Sequence, residues 1–159
     1  MDITYIPMAK GFVYLTCVMD IYSRKILSSV ISNTLDASFC VDAYIEAVRL
    51  YGSPEIINTD QGSQFTSDAF VAAVAASGAR LSMDGKGAWT DNIFIERFWR
   101  SLKYEEVYLR AYDTVADAKR WIYRYIERYN TIRPHSSLGG KTPNKIHSLA
   151  PAAGLLKAS

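Results

Sequence analysis

Cysteine and histidine are scarce in this sequence, with two of each in 159 residues. Cys17 and Cys40 sit inside hydrophobic runs and build no disulfide framework, which suits a reducing compartment. The four residues show no zinc-ligand spacing, so a zinc-binding module is excluded. Long hydrophobic runs are also lacking. The longest, Phe12 to Met19, is broken by Thr16 and falls far short of the about 20 residues that span a bilayer. No basic segment followed by an apolar core opens the chain, so no signal peptide is visible, and a cytoplasmic protein is expected. Repeats and low-complexity linkers are absent as well. What remains is ordinary globular composition, 49% hydrophobic and 21% charged, which excludes disordered and collagen-like chains and leaves room for one domain.

The net charge of +2 conceals an asymmetry. Residues 1–96 carry six Lys/Arg against eleven Asp/Glu, whereas residues 97–145 carry eleven against five. An acidic front half joined to a basic, aromatic-rich back half suits a protein that gathers carboxylates for a metal and cations for phosphates. A solvated helical surface accounts for the charge alone equally well.

The first third reads as strands. Asp2 to Pro7 alternates, Phe12 to Met19 has the continuous apolar character of a central strand, and Lys25 to Ile31 returns as its hairpin partner. The period then changes: Val41, Tyr44, Ile45 and Val48 have helical spacing, stopped by Gly52 and Pro54. A strand at Glu55 to Thr59 leads into the polar segment Asp60 to Gln64. A helix from Ser67 to Gly78 follows, with the apolar stripe Phe70, Val71 and Val74, and then a strand at Ala79 to Met83. The stretch Asp84 to Thr90, with glycines on both sides of Lys86, is expected to be a mobile loop. Thr90 or Asp91 is expected to cap a helix running to about Arg110, and Asp113 or Thr114 another to about Asn130. Beyond it an irregular tail is expected, around Arg133-Pro134-His135 and Lys141-Thr-Pro143. This order predicts an α/β, ribonuclease H-like fold: a mixed five-stranded sheet in the order 3-2-1-4-5, flanked by helices. The domain is expected over residues 1–150, with a C-terminal tail at 151–159.

Phosphodiester chemistry on Mg²⁺ needs hard oxygen ligands brought together from separate elements. Three acids sit where the fold can do this. Asp2 lies on the first strand, Asp60 follows the strand expected beside it, and Glu96 lies inside the long helix. On that helix Asn92, Trp99, Arg100 and Lys103 all fall within about 60° of Glu96, while Phe94, Ile95, Phe98, Leu102 and Leu109 are assigned to the core face. An exposed stripe with a Glu96–Arg100 ion pair is the alternative for Glu96 taken alone.

The segments around these acids carry more. Asp2-Ile-Thr-Tyr-Ile, Asn58-Thr-Asp-Gln-Gly-Ser-Gln-Phe65 and Asp91-Asn-Ile-Phe-Ile-Glu-Arg-Phe-Trp-Arg-Ser-Leu-Lys-Tyr104 together resemble the DDE transposases of bacterial insertion sequences. The similarity is to their second-reading-frame catalytic subunit, which belongs with the retroviral integrase cores. The 35 residues between Asp60 and Glu96 match that family's pattern, as does Lys103, seven residues after the glutamate. The segment Tyr129-Asn-Thr-Ile-Arg-Pro-His-Ser-Ser-Leu138, followed by Lys141-Thr-Pro143, is similar to its C-terminal signature, and the likeness extends from Asp2 to about Lys145.

The resemblance implies that Asp2, Asp60 and Glu96 are catalytic metal ligands for two Mg²⁺ ions, with Mn²⁺ substituting. It implies cleavage of transposon ends to free a 3′-hydroxyl, then joining of that hydroxyl to a second phosphodiester. The partners implied are transposon-end and target DNA, a homo-oligomer assembled on DNA, and a bacterial nucleoid setting, with no membrane. Lys103 and Asn92 are the candidates for DNA contact beside the reactive phosphate, with Arg100 on the same stripe and Lys86 on its loop. A helix cap for Asn92 and a solvated lysine at 86 or 103 remain open. Gly62 is expected to relieve the backbone beside Asp60. Asp20 and Asp91 read as turn and cap residues, His135 as tail packing in preference to phosphate binding beside Arg133, and Arg120, Arg124 and Arg128 as a solvated cationic face in preference to phosphate-backbone contact. Relatives carry an end-binding helix-turn-helix region upstream, which this chain is expected to lack, with its first strand cut short at Asp2. A non-catalytic, DNA-binding remnant and another ribonuclease H-like nuclease are the competing readings.

Overall fold

The apolar run at Phe12 to Met19 does become the central strand. The computed structural model describes residues 1–83 and 89–149, with side chains in the second stretch from residue 92 onward. Strand β1 (Asp2–Pro7) pairs antiparallel with β2 (Phe12–Met19), which pairs antiparallel with β3 (Ile26–Ser32). Alternate β2 side chains point to opposite layers. Val13, Leu15, Cys17 and Met19 pack on the layer of the two long C-terminal helices, α3 (Trp89–Glu105) and α4 (Val115–Thr131). Val18 and Tyr14 pack on the other layer, made by α1 (Ser38–Tyr51) and α2 (Asp68–Ser77). A strand covered on both faces favours an apolar run, and Thr16, which interrupts it, satisfies its buried hydroxyl by donating to the Asp2 carbonyl.

The parallel unit is β4 (Ile56–Thr59) beside β5 (Arg80–Met83). Here the expected five-stranded sheet is corrected. The described strands form a three-stranded sheet, β1-β2-β3, and a separate two-stranded sheet, β4-β5. The amino group of Met1 donates to the Asn58 carbonyl at 2.8 Å, but one bond at a strand's first residue makes no ladder, which needs bonds from alternate residues along both strands.

Helix ends follow local chemistry. Ser67 Oγ accepts from the Phe70 amide and Gly78 closes α2 at φ 83°. Thr114 Oγ1 accepts from the Asp117 amide and so caps α4. Helix α3 starts at Trp89, ahead of both Thr90 and Asp91, and ends at Glu105 rather than Arg110. The chain leaves helical geometry at Glu106 and makes a 3₁₀ turn over Val107–Leu109, which buries Val107 and Tyr112 and leaves Leu109 exposed. Ile45 and Val71 are also exposed, because α1 and α2 each turn a narrower face to the sheet than their apolar content suggests.

The tail is more regular than expected. His135 and Lys141 form an isolated antiparallel bridge around a 3₁₀ turn, Ser136–Leu138. A short helix, α5 (Pro143–Leu149), then packs on α4 with proline in its first turn. The expected loop at 84–88 and the tail at 151–159 lie outside the described residues. Among the described residues no helix is long and apolar enough to cross a membrane.

One buried side chain ties the C-terminal layer to the sheet edge. Asn130 on α4 accepts from the Ile26 amide at 3.0 Å and donates to the Ile26 carbonyl at 2.9 Å, imitating a strand partner. Asn130→Ala leaves both backbone groups buried and unpaired, and is expected to lower stability by about 2–3 kcal/mol. Thr114→Ala, which removes only an exposed cap on the same helix, is expected to cost about 1 kcal/mol. Urea unfolding at pH 7 checks both, and equal effects refute the anchoring role of Asn130.

Candidate functional site

Asp60 stands at the carboxyl end of β4, where the chain turns out of the sheet. Its Oδ1 accepts the Gly62 amide at 2.9 Å, an Asx-type turn. The turn continues through Phe65 N–H to Gly62 O, 3.0 Å, and is pinned by the buried Phe65 ring, 5.2 Å from that of Phe70. A Cβ on Gly62 would lie 2.9 Å from Asp60 Oδ1. A side chain there would therefore push the Asp60 carboxylate aside, so this glycine bears on where the acid sits and not on a left-handed backbone. The Asp60 carboxylate is exposed.

Asp2 opens β1 opposite Cys17 of β2, and its carbonyl accepts the Thr16 hydroxyl at 3.1 Å. Its side chain is half-buried. Burial raises its pKa above the ordinary aspartate value, and the charge of Asp60 pushes in the same direction. Hydrogen bonds from Trp99 and the Ile3 amide, together with the Met1 ammonium, oppose the rise. The Trp99 bond is explicit, with indole Nε1 donating to Asp2 Oδ2 at 2.7 Å.

Trp99 is the residue that sequence reasoning placed on the helix stripe without a task. A signal was present: a buried indole N–H needs an acceptor, and three residues separate Trp99 from Glu96. Its acceptor lies 97 residues away, beyond the reach of any local pattern. Glu96 itself is exposed, one helical turn from Trp99, or about 4.5 Å along the axis. Among the described residues it forms no ion pair, so the Glu96–Arg100 bridge is not made.

The structure thus brings Asp2 within range of the Asp60 charge. Among the described residues no three His, Cys, Asp or Glu side chains come together closely enough to enclose an ion. Both carboxylates are nevertheless hard oxygen donors of the kind that Mg²⁺ takes. The donor set fits a divalent cation, which would favour the ionised form of Asp2 that burial opposes.

The remaining candidates surround this pair unevenly. Asn92 is half-buried and lines a cavity of about 840 Å³ together with Met1 and Asn58, which places it next to the end of β4. Arg100 is exposed, its guanidinium 5.9 Å from the Tyr104 ring centroid. Lys103 is half-buried on α3. Lys86 lies outside the described residues, as does the side chain of Asp91. Asp20 is a turn residue: its Oδ2 accepts the Ser23 amide at 3.0 Å. His135 packs in the tail, buried with its ring 4.5 Å from that of Tyr129, and burial lowers its pKa.

With this geometry in hand, similarity to known proteins is informative. A sequence model of the integrase core domain matches residues 1–88, and a second integrase core domain model matches residues 77–143. The transposase for insertion sequence element IS904 of Lactococcus lactis is 38% identical over 145 residues, covering 89% of this chain and 57% of that protein. Transposase InsF for insertion sequence IS3A of Escherichia coli is 32% identical over 150 residues, covering 92% of this chain and 52% of that protein. The chain therefore spans little more than half the length of these relatives. Among solved structures, an intasome of simian T-cell lymphotropic virus aligns over 99% of this chain and 57% of the viral chain, at TM-score 0.77 and 19% identity. The HTLV-2 integrase catalytic core domain, solved in complex with magnesium in a dimeric form, aligns over 92% of each chain at TM-score 0.64 and 23% identity. These likenesses establish a ribonuclease H-like α/β fold.

The strained state of Asp2 has a measurable consequence in metal-free buffer. At pH 7 with EDTA, Asp2→Asn removes a half-buried charge that faces Asp60 and is expected to raise Tm. Trp99→Phe keeps a ring but removes the donor to the carboxylate, and is expected to lower stability by about 2–3 kcal/mol. Thermal and urea melts of the two variants check this, and a fall in Tm for Asp2→Asn refutes the described balance.

Proposed function

This chain belongs to the integrase core domain family, and from that membership we propose that it is the catalytic core of a bacterial insertion-sequence DNA transposase, cutting transposon ends and joining them to target DNA. The observation that carries the reading is the Asp2–Asp60 pair, held at the ends of β1 and β4 with Trp99 fixing one member. A half-buried carboxylate beside a second, exposed one is costly to a fold and useful to an enzyme that needs a cation there.

Asp2 and Asp60, with Glu96 from α3, would hold the divalent ions, Mg²⁺ or Mn²⁺. When bound, two such ions supply Lewis-acid charge at the attacking and leaving oxygens of a phosphodiester. The chain's own contributions are positional. Trp99 orients Asp2, the Gly62 amide orients Asp60, and the seam of Ile95, Phe98 and Leu102 sets the rotation of α3, and hence of Glu96. Lys103, Arg100, Asn92 and Lys86 would meet the DNA: the cations neutralise backbone phosphates and the amide offers neutral donors.

In the first reaction a water oxygen bonds to phosphorus and the 3′-oxygen leaves with a proton. In the second, that 3′-hydroxyl attacks a target phosphodiester and displaces the target's 3′-oxygen. One P–O bond forms and one breaks each time, so no energy source and no covalent protein intermediate is needed. Assembly of several copies on DNA belongs to this reading, since the simian viral neighbour is an intasome. End recognition would fall to the portion of the relatives that this chain does not span.

Strand cleavage and rejoining on a preformed branched DNA tests the proposal, because that substrate supplies the geometry otherwise imposed by end recognition. Turnover is expected in Mg²⁺ or Mn²⁺ and not in EDTA. Asp60→Asn should reduce it by at least about 10³-fold, because residues acting as a unit fail together. Equal activity in both proteins overturns the site assignment. No turnover by the unsubstituted chain with either metal overturns the enzymatic reading in favour of a DNA-binding remnant.

A further inference from the structure

The segment Arg133 to Leu138 takes no part in the carboxylate site, yet it closes a second polar cavity. That cavity, of about 200 Å³, lies between the 3₁₀ turn of the tail, helix α3 and the β2–β3 turn. We propose that Arg24, Arg97, Arg133, Ser101, Ser136 and Ser137 form a pocket for one phosphate group. The proposal stands independently of the transposase reading.

Charge balance is the first argument. Three arginines and three serines line the cavity, and no Asp or Glu does. Arg133 is already matched by Glu105, which takes its Nε at 3.0 Å and also accepts the Tyr125 hydroxyl. Arg97 is exposed and makes no ion pair among the described residues. The carboxylate of Asp20, near Arg24, is engaged by the Ser23 amide and hydroxyl. Arg24 and Arg97 therefore line the same small space with no ion pair among the described residues, while the Asp20 charge favours the Arg24 cation from outside the lining.

Arg24 supplies the second argument. It is the sole non-glycine residue with positive φ among those described, at 65°, a conformation that disfavours a long side chain. Its amide closes the turn onto Asp20 O at 2.8 Å, a task glycine or asparagine would perform with less strain. What arginine adds is the guanidinium, stacked 3.2 Å above the Phe94 ring centroid with its Nε buried and unpartnered. Burial lowers its pKa, the charges of Tyr129 and Asp20 oppose the fall, and the Arg97 charge adds to it. Strain and an orphaned donor converge on one side chain, and a bound oxyanion relieves the second.

The donors indicate the ligand. Guanidinium forks and serine hydroxyls approach from three separate elements, an arrangement that suits a tetrahedral oxyanion better than a planar carboxylate. The space holds one phosphate group with a few waters. Phe94, Arg97, Phe98 and Ser101 lie between about 100° and 200° round α3 from Glu96. The pocket is thus behind the helix that presents Glu96, not an extension of the carboxylate site.

The phosphate can come from a DNA backbone or from free inorganic phosphate, and two measurements in EDTA separate the sources. The first is calorimetric titration with inorganic phosphate. The second is the salt dependence of binding to a 30-bp duplex of arbitrary sequence, read by fluorescence anisotropy. Arg97→Gln is the main variant, since this exposed side chain is not required for packing. Lys10→Gln, an exposed lysine on the β1–β2 turn, is the charge-matched control. Saturable phosphate binding that falls at least about tenfold in Arg97→Gln, but not in Lys10→Gln, supports a site for the free ion. A log–log salt slope that is shallower by about 1 in Arg97→Gln alone supports a DNA phosphate. If neither quantity changes, or Lys10→Gln matches Arg97→Gln, the pocket is overturned. None of these readings requires catalysis, so they remain interpretable if no strand transfer is found.

Discussion

The arrangement of the candidate site depends on a single hydrogen bond, from the Trp99 indole to the Asp2 carboxylate at 2.7 Å. Burial and the neighbouring Asp60 both oppose a charge on Asp2, so without a donor this residue would turn outward or hold its proton. The indole satisfies the carboxylate and simultaneously locks α3 against β1. The helix has little freedom in return. Ile95, Phe98 and Leu102 are fully buried on the same layer, so the rotation that delivers Trp99 to Asp2 also fixes where Glu96 emerges. A charge-assisted bond of this kind is worth more than a neutral one.

That economy extends through the two core layers. Alternate residues of β2 serve the α3/α4 layer and the α1/α2 layer, so any shift in its register would disturb both at once. Asn130 adds a directional element to the apolar packing, because its amide matches both backbone groups of Ile26. The C-terminal helices are therefore positioned by polar contacts at two places, Asn130 at the β3 edge and Trp99 at the β1 end. Apolar packing between these points tolerates sliding, and the two polar contacts do not.

Local patterns were legible where the signal was local. Central strand β2, the caps Ser67 and Thr114, and the helical periods of α1, α2 and α4 all follow from neighbouring residues. The expectations that failed depended on distant partners. The helix written to Arg110 stops at Glu105, because Val107 and Tyr112 are buried by chain that returns from elsewhere. The irregular tail becomes a bridge, a turn and a short helix because His135 finds the Tyr129 carbonyl and α5 finds α4. For the site, the spacing between Asp60 and Glu96 was visible, as was the oddity of glycine two residues after Asp60. The Asp60–Gly62 contact and the Trp99–Asp2 bond were not, since sequence offers no distances.

The charge asymmetry of the chain also acquires a structural meaning, though not the simple one of an acidic and a basic face. Much of the cationic back half is neutralised within itself, through Arg110–Glu106, Arg120–Asp117 and Arg133–Glu105. Trp121 lies beneath the guanidinium of Arg110 at 3.6 Å, with Arg120 and Arg124 within 5.5 Å. These contacts hold the arginines along α4 in fixed positions instead of leaving them as a diffuse cloud of charge. Among the described residues, the cations of α3 without an ion pair are Arg97, Arg100 and Lys103; Arg100 and Lys103 share the stripe of Glu96, and Arg97 lies about 100° from it round the helix. A uniform basic surface would attract nucleic acid in any orientation. A helix that sets a carboxylate and two cations on one stripe, with Arg97 about 100° away, instead gives an approaching phosphate a directional pattern of charge.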